Sequence, residues 1–358
     1  MKKICFLIGN LNSSGGTERV TSLISSELAN SSNHEVIILS LIDGRKPFFP
    51  ISSNIKIYSL YSKKISFKFN FLGAVWKIRK FIQEHRIETL IVVDSISCLF
   101  TVPALMKLKV NHICWEHFNF NNNNGVKLRE IGRKWAAKHC DYIITLTNRD
   151  KELWIHNLNN IQAEIISIPN PTPYQNIKPT PSLDFKTILA VGRLTKVKGF
   201  DLLIEAWCKV CKENQDWILR LVGSGEEEGN LKKLVNDKKL NKRIEFIPAN
   251  NNITEFYKTS SLFCLSSRFE GFPMVLLEAQ AFGLPIVAFD CDTGPAEIIE
   301  HNISGIVVKK EDIDELSKAL LRLIGLSKNE YELMSSCSSE NSQHYSVEYI
   351  AKKWKSII

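Results

Sequence analysis

The stretch Thr187-Ile-Leu-Ala-Val191-Gly192-Arg193-Leu194-Thr195-Lys196-Val197-Lys198-Gly199-Phe200-Asp201 decides the fold. Four of its first five residues are apolar, a run short enough for a strand and covered on both faces if it lies in a parallel sheet. Glycines bracket the basic loop that follows, and Asp201 opens a helical pattern running to Lys212. Strand, glycine-punctuated loop and helix in that order make one β-α unit. The same unit repeats in both directions. Upstream strand candidates are Lys3–Ile8, Glu35–Leu41, Thr89–Val93, His112–Trp115, Tyr142–Leu146 and Ile165–Ile168. Downstream they are Trp217–Val222, Ile244–Ile247, Leu262–Leu265, Ile286–Phe289 and Gly305–Val308. Helical patterns over Thr17–Ala29, Leu72–His85, Glu228–Lys238 and Asp314–Ile324 alternate with them. Right-handed crossovers then give doubly wound α/β sheets.

A Pro-rich stretch, Pro169-Asn170-Pro171-Thr172-Pro173 and then Pro179-Thr180-Pro181, is unfit for strand or helix interiors and divides the chain. The division predicts two Rossmann-like domains facing a central cleft, residues 1–170 and 185–340, joined by a linker over 171–184. Residues 341–358 read as a C-terminal helix placed to cross back to the first domain. A chain of 358 residues accommodates two domains without staples. With 44% hydrophobic and 23% charged residues it is no disordered or fibrous protein. Its apolar runs fall far short of a membrane span. Met1-Lys2-Lys3 before Ile4–Ile8 imitates a signal peptide, but Asn10-Leu11-Asn12 offers no small-residue cleavage site, so a first strand and a cytoplasmic location are expected.

The net charge of +8 is unevenly held. Residues 1–170 carry 22 Lys and Arg against 13 Asp and Glu, while residues 171–358 are nearly balanced. A basic first half favours an anionic partner. Its cations are scattered without a recognisable nucleic-acid module, so no nucleic acid is expected. Lys63, Lys64, Lys68, Lys77, Arg79 and Lys80 instead interleave with Phe67, Phe69, Phe71, Trp76 and Phe81. Lys127, Arg129, Arg133, Lys134 and Lys138 flank Ile131 and Trp135 in a second basic helix pattern. Both mixtures suit an anionic membrane surface. The nine cysteines are scattered and read as reduced packing residues, Cys208-x-x-Cys211 included.

Five clusters can carry chemistry. Gly15-Gly16 at the first helix start lets backbone N–H groups approach an anion. Arg193 and Lys198 offer a planar fork and a mobile ammonium at the carboxyl edge of a sheet, where such folds bind ligands. Ser266-Ser267-Arg268-Phe269-Glu270-Gly271-Phe272-Pro273-Met274-Val275-Leu276-Leu277-Glu278 is the most specific string. Pro273 suits the first helical position, so the N–H groups of Met274, Val275 and Leu276 face an anion and both glutamates can accept hydroxyl bonds. Asp292-Thr293-Gly294-Pro295-Ala296-Glu297 makes another turn at that edge. His117, in Trp115-Glu116-His117, follows a strand of the first half. Asp290-Cys291-Asp292 and Asp312-Ile313-Asp314 match the Asp-x-Asp metal pattern only formally, and no metal is expected.

These strings resemble family 4 retaining glycosyltransferases of the GT-B architecture, of the bacterial surface-polysaccharide type. The likeness rests on Gly15-Gly16-Thr-Glu-Arg-Val, Gly192-Arg193 with Lys198-Gly199, Glu270 and Glu278 eight apart, Ala279–Val287 and the Gly294 turn. The resemblance implies a nucleotide-diphosphate sugar donor, UDP-linked, and transfer of a hexosyl or N-acetylhexosaminyl residue. The acceptor implied is a lipid-linked O-antigen, capsule or lipopolysaccharide at the inner face of the cell membrane. It implies diphosphate contacts from Arg193 and Lys198, and added phosphate contacts from Gly16 and the Met274–Leu276 N–H groups. Glu270 would then meet the transferred sugar, with Gly271 and Phe272 beside it, and Glu278 the ribose. His117 would approach the donor sugar. No cofactor or metal is implied. A GT-B sugar-nucleotide epimerase or a non-catalytic sugar-nucleotide-binding protein would share the donor motifs; a transferase alone needs an acceptor.

Overall fold

All strand pairs in the computed structural model are parallel within the described residues, which are 2–31, 34–66, 69–123, 125–175, 177–250 and 252–358. The first sheet contains β1 (Lys2–Ile8), β2 (His34–Ile42), β3 (Lys56–Tyr61), β4 (Thr89–Val93), β5 (Asn111–Trp115), β6 (Tyr142–Thr145) and β7 (Glu164–Ser167). Its spatial order is β3-β2-β1-β4-β5-β6-β7. The second contains β8 (Thr187–Val191), β9 (Ile218–Val222), β10 (Ile244–Ile247), β11 (Leu262–Leu265), β12 (Ile286–Asp290) and β13 (Gly305–Lys309), ordered β10-β9-β8-β11-β12-β13. Both are doubly wound. The order reverses beside β1 in one sheet and beside β8 in the other, and the crevice outside the carboxyl ends of such strands is where these folds take ligands.

β3 is absent from the sequence reading. Its residues alternate with polar ones, stay half-exposed, and pair with β2 alone, so no continuous apolar run marks it. The central strands do show that run: β4 is buried at every position. Each sheet has its own apolar core, one centred on Cys5, Ile37, Val92 and Ile143, the other on Leu203, Trp207, Leu221 and Phe289.

The chain divides into two compact units, Met1–Pro173 with Val347–Ile358, and Tyr174–Ser346. The expected linker over 171–184 is therefore divided between the units, and its described residues from Tyr174 onward belong to the second. The Tyr174 ring packs edge-on to Phe282 at 5.1 Å, and the Ser182 carbonyl accepts the Ser261 hydroxyl at 2.7 Å. Prolines cannot join a ladder, but their rings and neighbours still bury apolar surface. The helix Lys328–Ser342 also stays with the second unit, so the returning helix begins at Val347, later than 341. That helix, Val347–Lys355, buries Val347, Ile350, Ala351 and Trp354 in the first unit. Trp354 meets Trp115 edge-to-face at 4.8 Å, and Asn111 donates to the Ile357 carbonyl at 2.7 Å.

Candidate active site

Two loops meet at the carboxyl edge of β8 and β11. The loop after β8 ends in a short 3₁₀ turn, Lys196–Lys198, and Gly199 begins the helix Phe200–Glu213. Gly199 has φ +63°, and a Cβ there would stand 2.0 Å from the Ser266 carbonyl oxygen, so only glycine lets the two loops touch. Further bonds fasten them: Ser266 Oγ donates to the Lys198 carbonyl at 3.0 Å and the Arg268 N–H to the Val197 carbonyl at 2.7 Å. Arg268 also grips Asp201 through both terminal nitrogens at 2.8 Å. Burial alone raises the Asp201 carboxyl, but hydrogen bonds from Arg268 and Lys196 prevail and hold it at about 2.

This frame brings Lys198 and Glu270 together. Lys198 Nζ donates to Glu270 Oε1 at 2.6 Å, and Ser267 Oγ donates to the same oxygen at 2.6 Å. The Glu270 side chain is only 10% exposed and that of Lys198 25%, so the pair is sheltered yet reachable from solvent. Thr293 Oγ1 holds the Glu270 carbonyl at 2.7 Å. The turn bearing Thr293 lies close because Gly294, at φ +103°, would otherwise drive a Cβ to 2.5 Å from the Pro273 ring. Cys291 is buried beside this group; burial first, then the Glu270 charge, push its thiol up to about 12.

Pro273 sits at the N-cap, one residue earlier than its expected place, and the helix runs Met274–Ala281. Leu276 N–H is already bonded to the Pro273 carbonyl at 2.9 Å. Glu278 lies inside the helix, 5% exposed, and accepts the Tyr257 hydroxyl at 2.7 Å. Arg193 stands apart from the pair. Its side chain is 75% exposed and 3.6 Å from Glu226.

The first unit holds the remaining residues. His117 follows β5, its ring tilted against Trp115 at 4.5 Å. Burial lowers its imidazole to about 3, so it is neutral at physiological pH, and its Nε2 meets no hydrogen-bond partner among the described residues. The neighbouring Glu116 accepts the N–H groups of His117 and Phe118 at 3.0 and 3.1 Å. Arg133 pairs with Glu116 at 3.2 Å and donates to backbone carbonyls of the following loop, including Asn119 at 3.0 Å. Arg129 pairs with Asp94 at 2.7 Å. Arg129 and Arg133 are therefore buried structural cations rather than members of a basic surface. At the Gly15-Gly16 helix start, the Glu18 carboxylate bends back onto the Gly15 N–H, occupying part of the anion position expected there.

Comparison with known proteins agrees with this architecture. The family described as Glycosyltransferase Family 4 matches residues 14–175, and Glycosyl transferases group 1 matches residues 175–341. An uncharacterized glycosyltransferase of Haemophilus influenzae is 40% identical over the whole of both chains. The chain belongs to glycosyltransferase family 4. A second relative of this glycosyltransferase, the amylovoran biosynthesis glycosyltransferase AmsD of Erwinia amylovora, is 31% identical, again covering 100% of each. Among solved structures, Alr3699/HepE of Anabaena in complex with UDP and glucose superposes with a TM-score of 0.78 at 16% identity. It covers 99% of each chain, and the likeness makes the fold GT-B.

Within this glycosyltransferase, Asp312 is an N-cap accepting from the Glu315 N–H, and Asp314 pairs with Lys209. That accounts for one Asp-x-Asp match. Tyr257 escaped the sequence reading because nothing near it in the chain points to Glu278, 21 residues later. Thr293 lies inside the Asp292–Glu297 turn, but only the fold brings its hydroxyl to the Glu270 backbone.

Proposed function

We propose that this family 4 enzyme transfers a sugar from a UDP-linked donor, with retention of configuration, to a growing lipid-linked surface saccharide. The observation that carries the reading is the Lys198–Glu270–Ser267 group at the carboxyl edge of β8 and β11. Lys198, with the exposed Arg193, offsets charge on the leaving diphosphate, as preorganised cations do in group transfer. Glu270 accepts hydroxyl bonds from the transferred sugar, with the backbone of Gly271 and Phe272 beside it. Glu278 takes the ribose hydroxyls, and the Met274 and Val275 N–H groups add phosphate contacts. His117 offers a neutral ring nitrogen for a sugar hydroxyl. Gly15 and Gly16 add phosphate contacts once the Glu18 carboxylate swings away.

Both glutamates have binding roles, so departure and attack on the same sugar face is the mechanism proposed. A leaving phosphate oxygen takes the acceptor proton. Support for a UDP donor comes from the Anabaena structure with UDP and glucose, and for a surface polysaccharide from the amylovoran relative.

The test is calorimetry with UDP in EDTA, followed by product analysis. Lys198→Ala and Arg193→Ala should each weaken UDP binding about tenfold, the scale of a charge-assisted hydrogen bond. Affinity equal to wild type removes them from the site. Transfer should persist in EDTA; complete loss, restored by manganese, would revive an Asp290/Asp292 metal site. An inverted anomeric centre in the product would overturn retention.

Peripheral attachment to an anionic membrane, on its inner face, completes the proposal. No helix among the described residues is long and apolar enough to cross a membrane. On the helix Phe71–His85, Leu72 and Trp76 are 78% and 59% exposed, and Phe69 just before it is 84% exposed. Lys80 lies over the Trp76 ring at 5.3 Å. Phe71 and Phe81 face inward instead, against Phe100 and Tyr58, and Arg79 is spent on the Ala104 and Met106 carbonyls. Phe67 and Lys68 lie outside the described residues. Lys63, Lys64, Lys127, Lys134 and Lys138 remain exposed. At about 1 kcal/mol per cation, the exposed lysines with three apolar anchors suffice for reversible attachment. The chain should cosediment with anionic vesicles at low salt and be released at high salt; a Leu72→Ser/Trp76→Ser variant should bind less. Absence of binding to anionic vesicles at low salt overturns the attachment.

A further inference from the structure

Behind the first sheet, three side chains from distant parts of the sequence converge. Cys98 begins the helix Cys98–Leu105, His112 lies on β5, and Cys140 caps the helix Leu128–His139. Their sulfur and ring-nitrogen atoms all lie within 4.8 Å of one another. Cys98 Sγ is 4.0 Å from Cys140 Sγ, and Cys140 Sγ is 3.5 Å from His112 Nδ1. Around a tetrahedral zinc with ordinary bond lengths, those edges would be about 3.8 Å and about 3.6 Å. Cys114 lies two residues on from His112 and on the same face of β5.

The surroundings orient the imidazole for ligation. Thr101 Oγ1 lies 3.3 Å from the Ser97 carbonyl and 3.0 Å from His112 Nε2, so it can donate to the carbonyl and accept from the ring N–H. In that tautomer Nδ1 is free of its proton and faces the Cys140 thiol at 3.5 Å, the kind of outer contact that sets a metal-binding histidine. His112 also lines a cavity of about 540 Å³ with Val102, Leu105, Trp135 and His139, which gives an ion a route inward.

We propose that Cys98, His112 and Cys140 bind one zinc ion, with the fourth position left to water. Thiolate and imidazole donors among buried side chains select a soft-tolerant d¹⁰ cation over magnesium or calcium. Binding displaces the thiol protons to solvent and creates sulfur–zinc and nitrogen–zinc bonds, with no change of oxidation state. The ion ties β5 to both covering helices through His112, five residues before His117. It takes no part in transfer, and its donors are separate from Lys198 and Glu270.

The experiment uses the full chain purified under reducing conditions from zinc-supplemented cells. Elemental analysis should find roughly one zinc per chain, released stoichiometrically by a thiol-blocking mercurial. Cobalt(II) added to the metal-free chain should develop strong thiolate-to-cobalt charge-transfer absorption. A Cys98→Ser/Cys140→Ser variant should lose that absorption, while Cys264→Ser in the second unit keeps it. If the double variant does not fold, zinc content and the cobalt spectrum of the unaltered chain decide alone. Negligible zinc with no charge-transfer band overturns the site, as does a native Cys98–Cys140 disulfide found by mass spectrometry. A cobalt band unchanged in the folded double variant overturns it too.

Discussion

Glu270→Ala is expected to lower transfer about 100-fold while the second unit stays folded. The side chain accepts from Lys198 and Ser267 on a single oxygen, Oε1, leaving the other carboxylate oxygen for a sugar hydroxyl. Truncation removes that acceptor and frees the ammonium of Lys198. The ammonium still meets a diphosphate, so UDP affinity should hold or rise while turnover falls. Misplacing a reacting sugar by about 1 Å is enough for a loss of this size. Glu270→Gln, which keeps the shape but loses the charge, should fall between wild type and alanine. Initial rates at saturating donor, with thermal unfolding as the folding control, make the measurement. Wild-type turnover in Glu270→Ala would remove this carboxylate from the site.

Arg133→Ala should cost the first unit about 3–5 kcal/mol, the loss typical of breaking a buried ion pair from one side. The side chains of Arg133 and Glu116 are 2% and 0% exposed. Removing the guanidinium leaves the Glu116 carboxylate buried, bonded to Ser95 and two backbone N–H groups, with the Arg129 charge as the remaining cation acting on it among the described residues. It also takes the arginine donor from the Phe120 carbonyl, and leaves the Asn119 carbonyl with the Asn122 N–H as its remaining donor among the described residues. The loop carrying His117 then loses its anchor. Denaturant unfolding followed by the fluorescence of Trp115 and Trp154 should show the shift. Stability within about 1 kcal/mol of wild type would mean that water or rearrangement replaces the arginine.

The strands and the Gly192–Asp201 loop were legible because they are local patterns. Near-continuous apolar runs mark buried parallel strands, and glycine with proline marks the turns at their ends. β3 was illegible because a half-exposed edge strand has no such run. Arg129 and Arg133 looked like a basic helix surface for a different reason. Their acids, Asp94 and Glu116, lie 35 and 17 residues upstream, and nothing in helical spacing links them.

From its sequence alone this protein was determined to be two doubly wound α/β halves with Lys198 and Glu270 at strand-to-helix turns and Glu278 in the helix that follows. Periodicity and turn chemistry act over a few residues, so one chain suffices to read them. Which charges are buried, which aromatics face outward and which cysteines meet were decided only by tertiary structure. Phe69 and Trp76 point out while Phe81 packs in, and Cys98, His112 and Cys140 converge from 42 residues of chain. Such contacts depend on how helices settle on the sheet, a long-range packing outcome that leaves no periodic trace in the sequence.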